Sequence, residues 1–81
     1  MTRTEIDEKV KQFLIEDFEI EEEAITPDAG LKEDLGIDSL DFVDIVVIVE
    51  KLFGFKIVPE ELAGVTTLQQ FCDYIERKTT V

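Results

Sequence analysis

Apolar residues fall into three blocks along the chain, each with its own spacing. Between residues 4 and 18, Ile6, Val10, Phe13 and Leu14 share one helical face and Phe18 extends the stripe. That period predicts an amphipathic helix. Thr2 or Thr4 is placed to cap its start, and Glu5, Asp7 and Glu8 set negative charge in the first turn, where the helix dipole favours it. Ile15 lies at the margin of the stripe.

The second block, residues 39–53, is rich in β-branched residues: Val43, Ile45, Val46, Val47, Ile48 and Val49. Such a run suits a buried strand as well as a helix. Three features favour the helix. The segment far exceeds the roughly four to eight residues of a strand. It starts at Ser39, a capping type, and stops at Gly54. Its polar residues Asp41, Asp44, Glu50 and Lys51 do not alternate with period two. Stepping roughly 100° per residue separates two apolar sectors. Phe42, Ile45, Val46, Val49, Leu52 and Phe53 form a broad one that should face the core. Leu40, Val43 and Val47 form a narrower one among Asp44, Glu50 and Lys51, the pattern of a surface that a partner grips.

In the third block, Val58 precedes a proline and is expected to be extended, and Pro59 opens a short helix to Ala63 that Gly64 ends. Thr66 with Gln69 reads as a capping box for a last helix, whose buried face carries Leu68, Phe71, Cys72 and Ile75. Arg77 and Lys78 in its last turn complement the dipole. Residues 19–38 form a long connection with turn chemistry at Thr26-Pro27-Asp28 and Gly30, and a charged run, Glu21-Glu22-Glu23, that reads as solvated surface. Ile20, Ile25, Leu31, Leu35 and Ile37 punctuate this connection, so it is expected to be pinned to the core along its length. The fold class that follows is all-α: a small bundle of three main helices plus one short helix, with a long first loop, in a single domain over residues 1–81.

Composition narrows the function. Twenty acidic residues against eight basic ones give a net charge of −12. A field of that sign repels nucleic acid and anionic membranes and attracts basic protein surfaces. It also repels itself, so moderate salt should raise the melting temperature. The N-terminus lacks the apolar core of a signal peptide, and the longest apolar run, Ile45 to Val49, is too short to span a bilayer. A soluble, cytoplasmic, monomeric protein without stable membrane insertion is expected.

Histidine is absent, which removes the commonest general base and the usual catalytic triads and zinc sites. Cys72, the one cysteine, sits on an apolar face as a small buried hydrophobe would. No glycine-rich phosphate loop occurs, and Asp34-Leu35-Gly36-Ile37-Asp38 does not alternate ligands as a calcium loop does. No metal site and no enzyme are expected. What remains is Ser39, a hydroxyl between two carboxylates where a loop gives way to a helix. It is either a cap or an attachment point, or both. A helix start offers free N–H groups and positive potential that suit a phosphate.

Gly36-Ile37-Asp38-Ser39-Leu40-Asp41 resembles the Gly-x-Asp-Ser-Leu motif of acyl carrier proteins. The likeness extends over nearly the whole chain, through Leu35, Phe53-Gly54, Ile57, Thr66-Thr67 and Asp73-Tyr74-Ile75. The resemblance implies that Ser39, flanked by Asp38 and Leu40, carries 4′-phosphopantetheine taken from coenzyme A by a phosphopantetheinyl transferase (a holo-carrier synthase). It implies acyl intermediates held as thioesters for fatty acid biosynthesis. The acyl chain would be lined by Ile45, Val46, Val49, Phe53 and Ile57. Fatty acid or polyketide synthase enzymes with basic docking patches would meet Asp38, Leu40, Asp41, Val43, Asp44, Val47 and Glu50.

The chain departs from the common fatty-acid-synthesis pattern at five positions. Lys51 and Lys56 stand where that pattern has acidic residues, Phe42 and Leu52 where small polar or acidic ones are usual, and Val47 where Met is common. These changes raise two alternatives: a specialised carrier for polyketide, peptide or unusual lipid synthesis, and an unmodified helical interaction module. The intact Asp38-Ser39-Leu40 argues against the second.

Overall fold

The computed structural model describes residues 2–79, with dimensions of 31 × 25 × 21 Å. Three α-helices carry the architecture: α1 (Arg3–Phe18), α2 (Ser39–Phe53) and α3 (Leu68–Thr79). Two short 3₁₀ turns, Glu22–Ala24 and Pro59–Leu62, lie in the connections, and no strand occurs among the described residues. The expected all-α layout is what forms.

Thr2 caps α1, its hydroxyl accepting from the Glu5 N–H at 3.2 Å. The helix begins at Arg3, one residue before the sequence pattern places it. It ends at Glu19, which holds a left-handed conformation at φ 54° without being glycine. The Leu14 carbonyl accepts from both Glu19 and Ile20 N–H groups there. Ile6, Val10, Phe13 and Leu14 are all buried, and Phe18 packs edge-on to Phe13 with ring centroids 6.4 Å apart.

α3 presents Leu68, Phe71, Cys72, Tyr74 and Ile75 to the same core. Its start differs by one residue from the sequence reading. Thr67, not Thr66, takes the cap position, accepting from the Gln70 N–H at 3.3 Å, while Gln70 Oε1 accepts from the Thr67 N–H at 3.2 Å and the Thr66 N–H at 2.7 Å. Gln70 rather than Gln69 closes the box, because the side chain three residues past the cap is the one that reaches back. Tyr74 is a buried residue that the sequence stripe omits, only 1% exposed. Its hydroxyl donates to Glu61 at 2.6 Å and accepts from the Val58 N–H at 3.4 Å. Lys78 also donates to Glu61, at 3.0 Å, so the short turn at Pro59–Leu62 is latched to α3. That turn is 3₁₀ and stops at Leu62, one residue short of the expected helix.

The long first connection is pinned, as its apolar punctuation predicts. Leu31, Leu35 and Ile37 are buried, and Ile20 and Ile25 pack against the core from its edge. Backbone bonds stitch it to the start of α3. Leu31 N–H donates to the Thr66 carbonyl at 2.9 Å, Leu68 N–H to Ala29 at 2.9 Å and Gln69 N–H to Pro27 at 3.0 Å. The charged run forms the 3₁₀ turn Glu22–Ala24 instead of plain loop, with Glu22 paired to Lys11 at 2.8 Å. Arg3 joins the two core helices, bonding Asp73 at 2.5 Å, Glu76 at 3.3 Å and Asp7 at 3.0 Å. Asp73 foremost, with Asp7, raises the guanidinium pKa further.

Candidate functional site

The connection delivers the site. Ile37, 1% exposed, is fixed in the core, and its N–H donates to Leu31 at 2.9 Å. Gly36 makes the turn just before it at φ 71°, a left-handed conformation that costs glycine nothing. The next residue, Asp38, is the N-cap of α2. Its Oδ1 accepts from Leu40 N–H and Asp41 N–H, both at 3.0 Å, and the Asp41 carboxylate accepts from the Asp38 N–H at 3.2 Å. This reciprocal box settles the role of Ser39 in the helix. Ser39 is the first residue inside α2, not its cap, and it is exposed. Among the described residues its hydroxyl has no hydrogen-bond partner.

The box reduces the free N–H groups that the helix start would otherwise offer to a phosphate. The Leu40 and Asp41 donors are already taken by the Asp38 carboxylate.

From Ser39 the helix sorts its side chains by face. Leu40, Val43 and Val47 stand outward, 78%, 62% and 47% exposed. Asp38, Asp44 and Glu50 are exposed around them, and Asp41 is half-buried. The opposite face buries Ile45 and Val49, with Ile57 buried from the following segment; Val46 and Phe53 are half-buried against the same core. Phe42 is half-buried too. Leu52 is the correction on this helix. Placed with the core sector by its angle, it is 39% exposed. It lies in the last turn at the margin of that sector, where the helix is less covered than at its centre, and a helical wheel counts every turn as equally covered. Ile48, which the wheel assigns to neither sector, is half-buried against the core instead. Gly54, at φ 77°, closes α2, its N–H donating to the Glu50 carbonyl at 3.0 Å.

The chemistry this arrangement offers is that of one exposed hydroxyl. Burial pushes the Cys72 thiol up to about 12, so it is not a nucleophile at neutral pH. Among the described residues no three potential ligands gather as a metal site does, and no helix is long and apolar enough to cross a membrane. The family model for the phosphopantetheine attachment site matches residues 8–75. The chain belongs to the acyl carrier family. It is similar over 80 residues, 99% of each chain and at 35% identity, to an acyl carrier protein from Rubrobacter xylanophilus. Acyl carriers are modified by a phosphopantetheinyl transferase and bear 4′-phosphopantetheine; they are carriers, not catalysts. An unhindered serine hydroxyl beside an already satisfied helix start fits that group. As a carrier, the chain needs the group for its thiol, which bears an acyl cargo as a thioester.

Sequence reasoning places Asp38, Ser39, Leu40 and Asp41 in one turn of α2, and the structure brings them together there. It also divides the candidate docking residues from the candidate acyl-lining residues by helix face. What it missed is the latch formed by Tyr74, Glu61 and Lys78, because those residues are joined by tertiary contact and share no sequence period.

Proposed function

We propose that the chain is a single carrier domain over residues 1–81 that carries acyl intermediates on Ser39 for fatty acid biosynthesis in the cytoplasm. The observation that supports Ser39 is the Asp38–Asp41 capping box, which leaves the serine exposed and free of any structural duty at the start of α2. In the loading step, the bond from Ser39 Oγ to the coenzyme A phosphate forms as the bond to 3′,5′-adenosine diphosphate breaks. The transferase takes the hydroxyl proton.

Synthase enzymes with basic docking patches then meet Leu40, Val43 and Val47 within the acidic ring of Asp38, Asp41, Asp44 and Glu50. Covering those apolar side chains contributes on the order of 1–2 kcal/mol each, before the cost of association. Each exposed ion pair adds about 0–1 kcal/mol, so the charges act mainly on encounter rate and partner choice. The acyl chain enters between α2 and the rest of the core, along Ile45, Val46, Val49, Phe53 and Ile57. That path is closed by packing in the unloaded fold, since Ile45, Val49 and Ile57 are 2%, 0% and 2% exposed, so α2 must yield to admit a chain.

A second reading, a carrier dedicated to a specialised lipid or polyketide-like route, is favoured by one feature. The exposed face of α2 includes Leu52 and Lys51, a more apolar and less acidic end than a uniformly basic patch would select. One assay separates a carrier from an unmodified interaction module. The protein is modified with coenzyme A and a broad-specificity transferase, charged with a malonyl or acyl group by a transacylase, and treated with hydroxylamine. A mass gain that hydroxylamine reverses is the expected thioester. Failure to charge, under conditions that charge a control carrier, would favour the interaction module.

A further inference from the structure

Tyr74 gathers the segment after α2 at Phe55, Val58 and Glu61. Its ring meets Phe55 edge-on, with centroids 6.2 Å apart. Its hydroxyl accepts from the Val58 N–H at 3.4 Å and donates to one Glu61 oxygen at 2.6 Å. Lys78, one turn further along α3, donates to the other Glu61 oxygen at 3.0 Å, and its Nζ stands 5.6 Å from the Tyr74 ring centroid. Ile57, 2% exposed, lies between the Phe55 and Val58 contacts. Among the described residues no hydrogen bond or ion pair joins residues 55–62 to α2. The last bond at that end is the one from the Gly54 N–H to the Glu50 carbonyl, and Gly54 holds φ 77°. By its polar bonds the segment belongs to α3, and it meets α2 through one left-handed glycine.

We infer that Tyr74, with Glu61 and Lys78, sets the length of acyl chain that the domain shelters, by fixing Ile57 as the wall at the far end of the path along α2. The inference rests on the reading of Ser39 as the attachment point and of Ile45, Val49 and Ile57 as the lining of the chain. When α2 yields to admit a chain, the latched segment stays with α3. A chain running from the serine end of α2 passes Ile45, then Val49, and meets Ile57, whose neighbours on both sides are held by Tyr74. Carbons beyond that wall stay in water and contribute nothing to the fold. Cutting the latch frees the Pro59–Leu62 turn and lets Ile57 recede, so the path lengthens. Tyr74 is a specificity-determining residue that acts through Ile57 and touches no reacting atom.

The full chain is loaded at Ser39 by a broad-specificity transferase from straight-chain acyl-coenzyme A of increasing length. Intact mass confirms each load, and the melting temperature is read against that of the unloaded chain. Each methylene sheltered in the fold and released on unfolding raises the melting temperature, so the gain climbs with chain length and levels off where shelter ends. Tyr74→Phe keeps the ring against Phe55 and loses both hydroxyl bonds; its gain should level off about two to four carbons later than that of the native chain. Glu61→Ala, an exposed change that removes the acceptor of both Tyr74 and Lys78, should move the levelling point in the same direction. Arg3→Gln cuts the tie to Asp73 and Glu76 and leaves the latch intact. It should lower the melting temperature of the unloaded chain and keep the native levelling point, which separates a cargo effect from general loosening. A levelling point that Tyr74→Phe and Glu61→Ala leave unchanged, or that Arg3→Gln shifts equally, would overturn the inference. So would a loaded native chain that gains nothing at any length. A native chain that takes no phosphopantetheine removes the Ser39 reading beneath the inference, and the intact mass tells that failure apart from the others.

Discussion

α1 and α3 bury nine side chains between them, from Ile6 to Ile75, whereas α2 fully buries only Ile45 and Val49. The polar rims of α1 and α3 are tied by Arg3, which reaches Asp73 and Glu76. Among the described residues no ion pair ties α2 in this way, and it keeps Leu40, Val43, Val47 and Leu52 exposed. The contrast divides labour. α1 and α3 spend their apolar surface on stability. α2 is anchored by one strip of its surface and leaves the rest exposed, which is the face on which the proposed docking falls.

Phe71→Ala, in the α1–α3 half, should be the most damaging change, destabilising by about 3–5 kcal/mol in urea unfolding. In a domain this small that approaches the whole stability. A loss below about 1 kcal/mol would mean that this half is less tightly packed than its burial indicates. Asp38→Ala removes the cap of α2 and leaves the Leu40 and Asp41 N–H groups without their partner, so about 1 kcal/mol should be lost, seen as a lower urea midpoint.

The Glu61 latch gives a pH test. The Tyr74 hydroxyl, first, and Lys78 hold the Glu61 carboxyl below its ordinary value of 4.5. A carboxylate lowered on folding stabilises the fold above its unfolded pKa and loses that contribution as pH falls through its folded value. The melting temperature of the native chain should exceed that of Glu61→Gln at pH 7, and the gap should close as pH falls below 4.5. A gap that persists at pH 3 would mean that the carboxylate's charge is not what secures the latch. Val43→Ala, on the exposed face of α2, should shift stability least, within about 0.5 kcal/mol, while weakening docking kinetics. A large loss of stability would erase the distinction between the two regions.

The sequence carried the helices because burial there is periodic. Ile6, Val10, Phe13 and Leu14 repeat as a single face, and length with flanking caps decided α2 for helix against its β-branched composition. The same period exposed Leu40, Val43 and Val47 as a separate stripe. The errors fall where local signals run out. Asp38 and Ser39 are both good caps, and only the bonds to Leu40 and Asp41 show which is used. Thr66 and Thr67 posed the same choice at α3. Leu52 depends on what covers the end of a helix, and Tyr74 on a partner thirteen residues away. Glu19 adopts a positive φ with no glycine to announce it.

The central claim is that Ser39, exposed and relieved of capping, is where the prosthetic group is joined. The native chain and Ser39→Ala are incubated with coenzyme A, magnesium and a broad-specificity transferase, and the intact mass of each is measured. The native chain should gain one phosphopantetheine, and Ser39→Ala should gain none while melting at the same temperature, because the hydroxyl serves no structural bond. A native chain left unmodified beside a control carrier that is modified, or a gain that survives Ser39→Ala, would contradict the account.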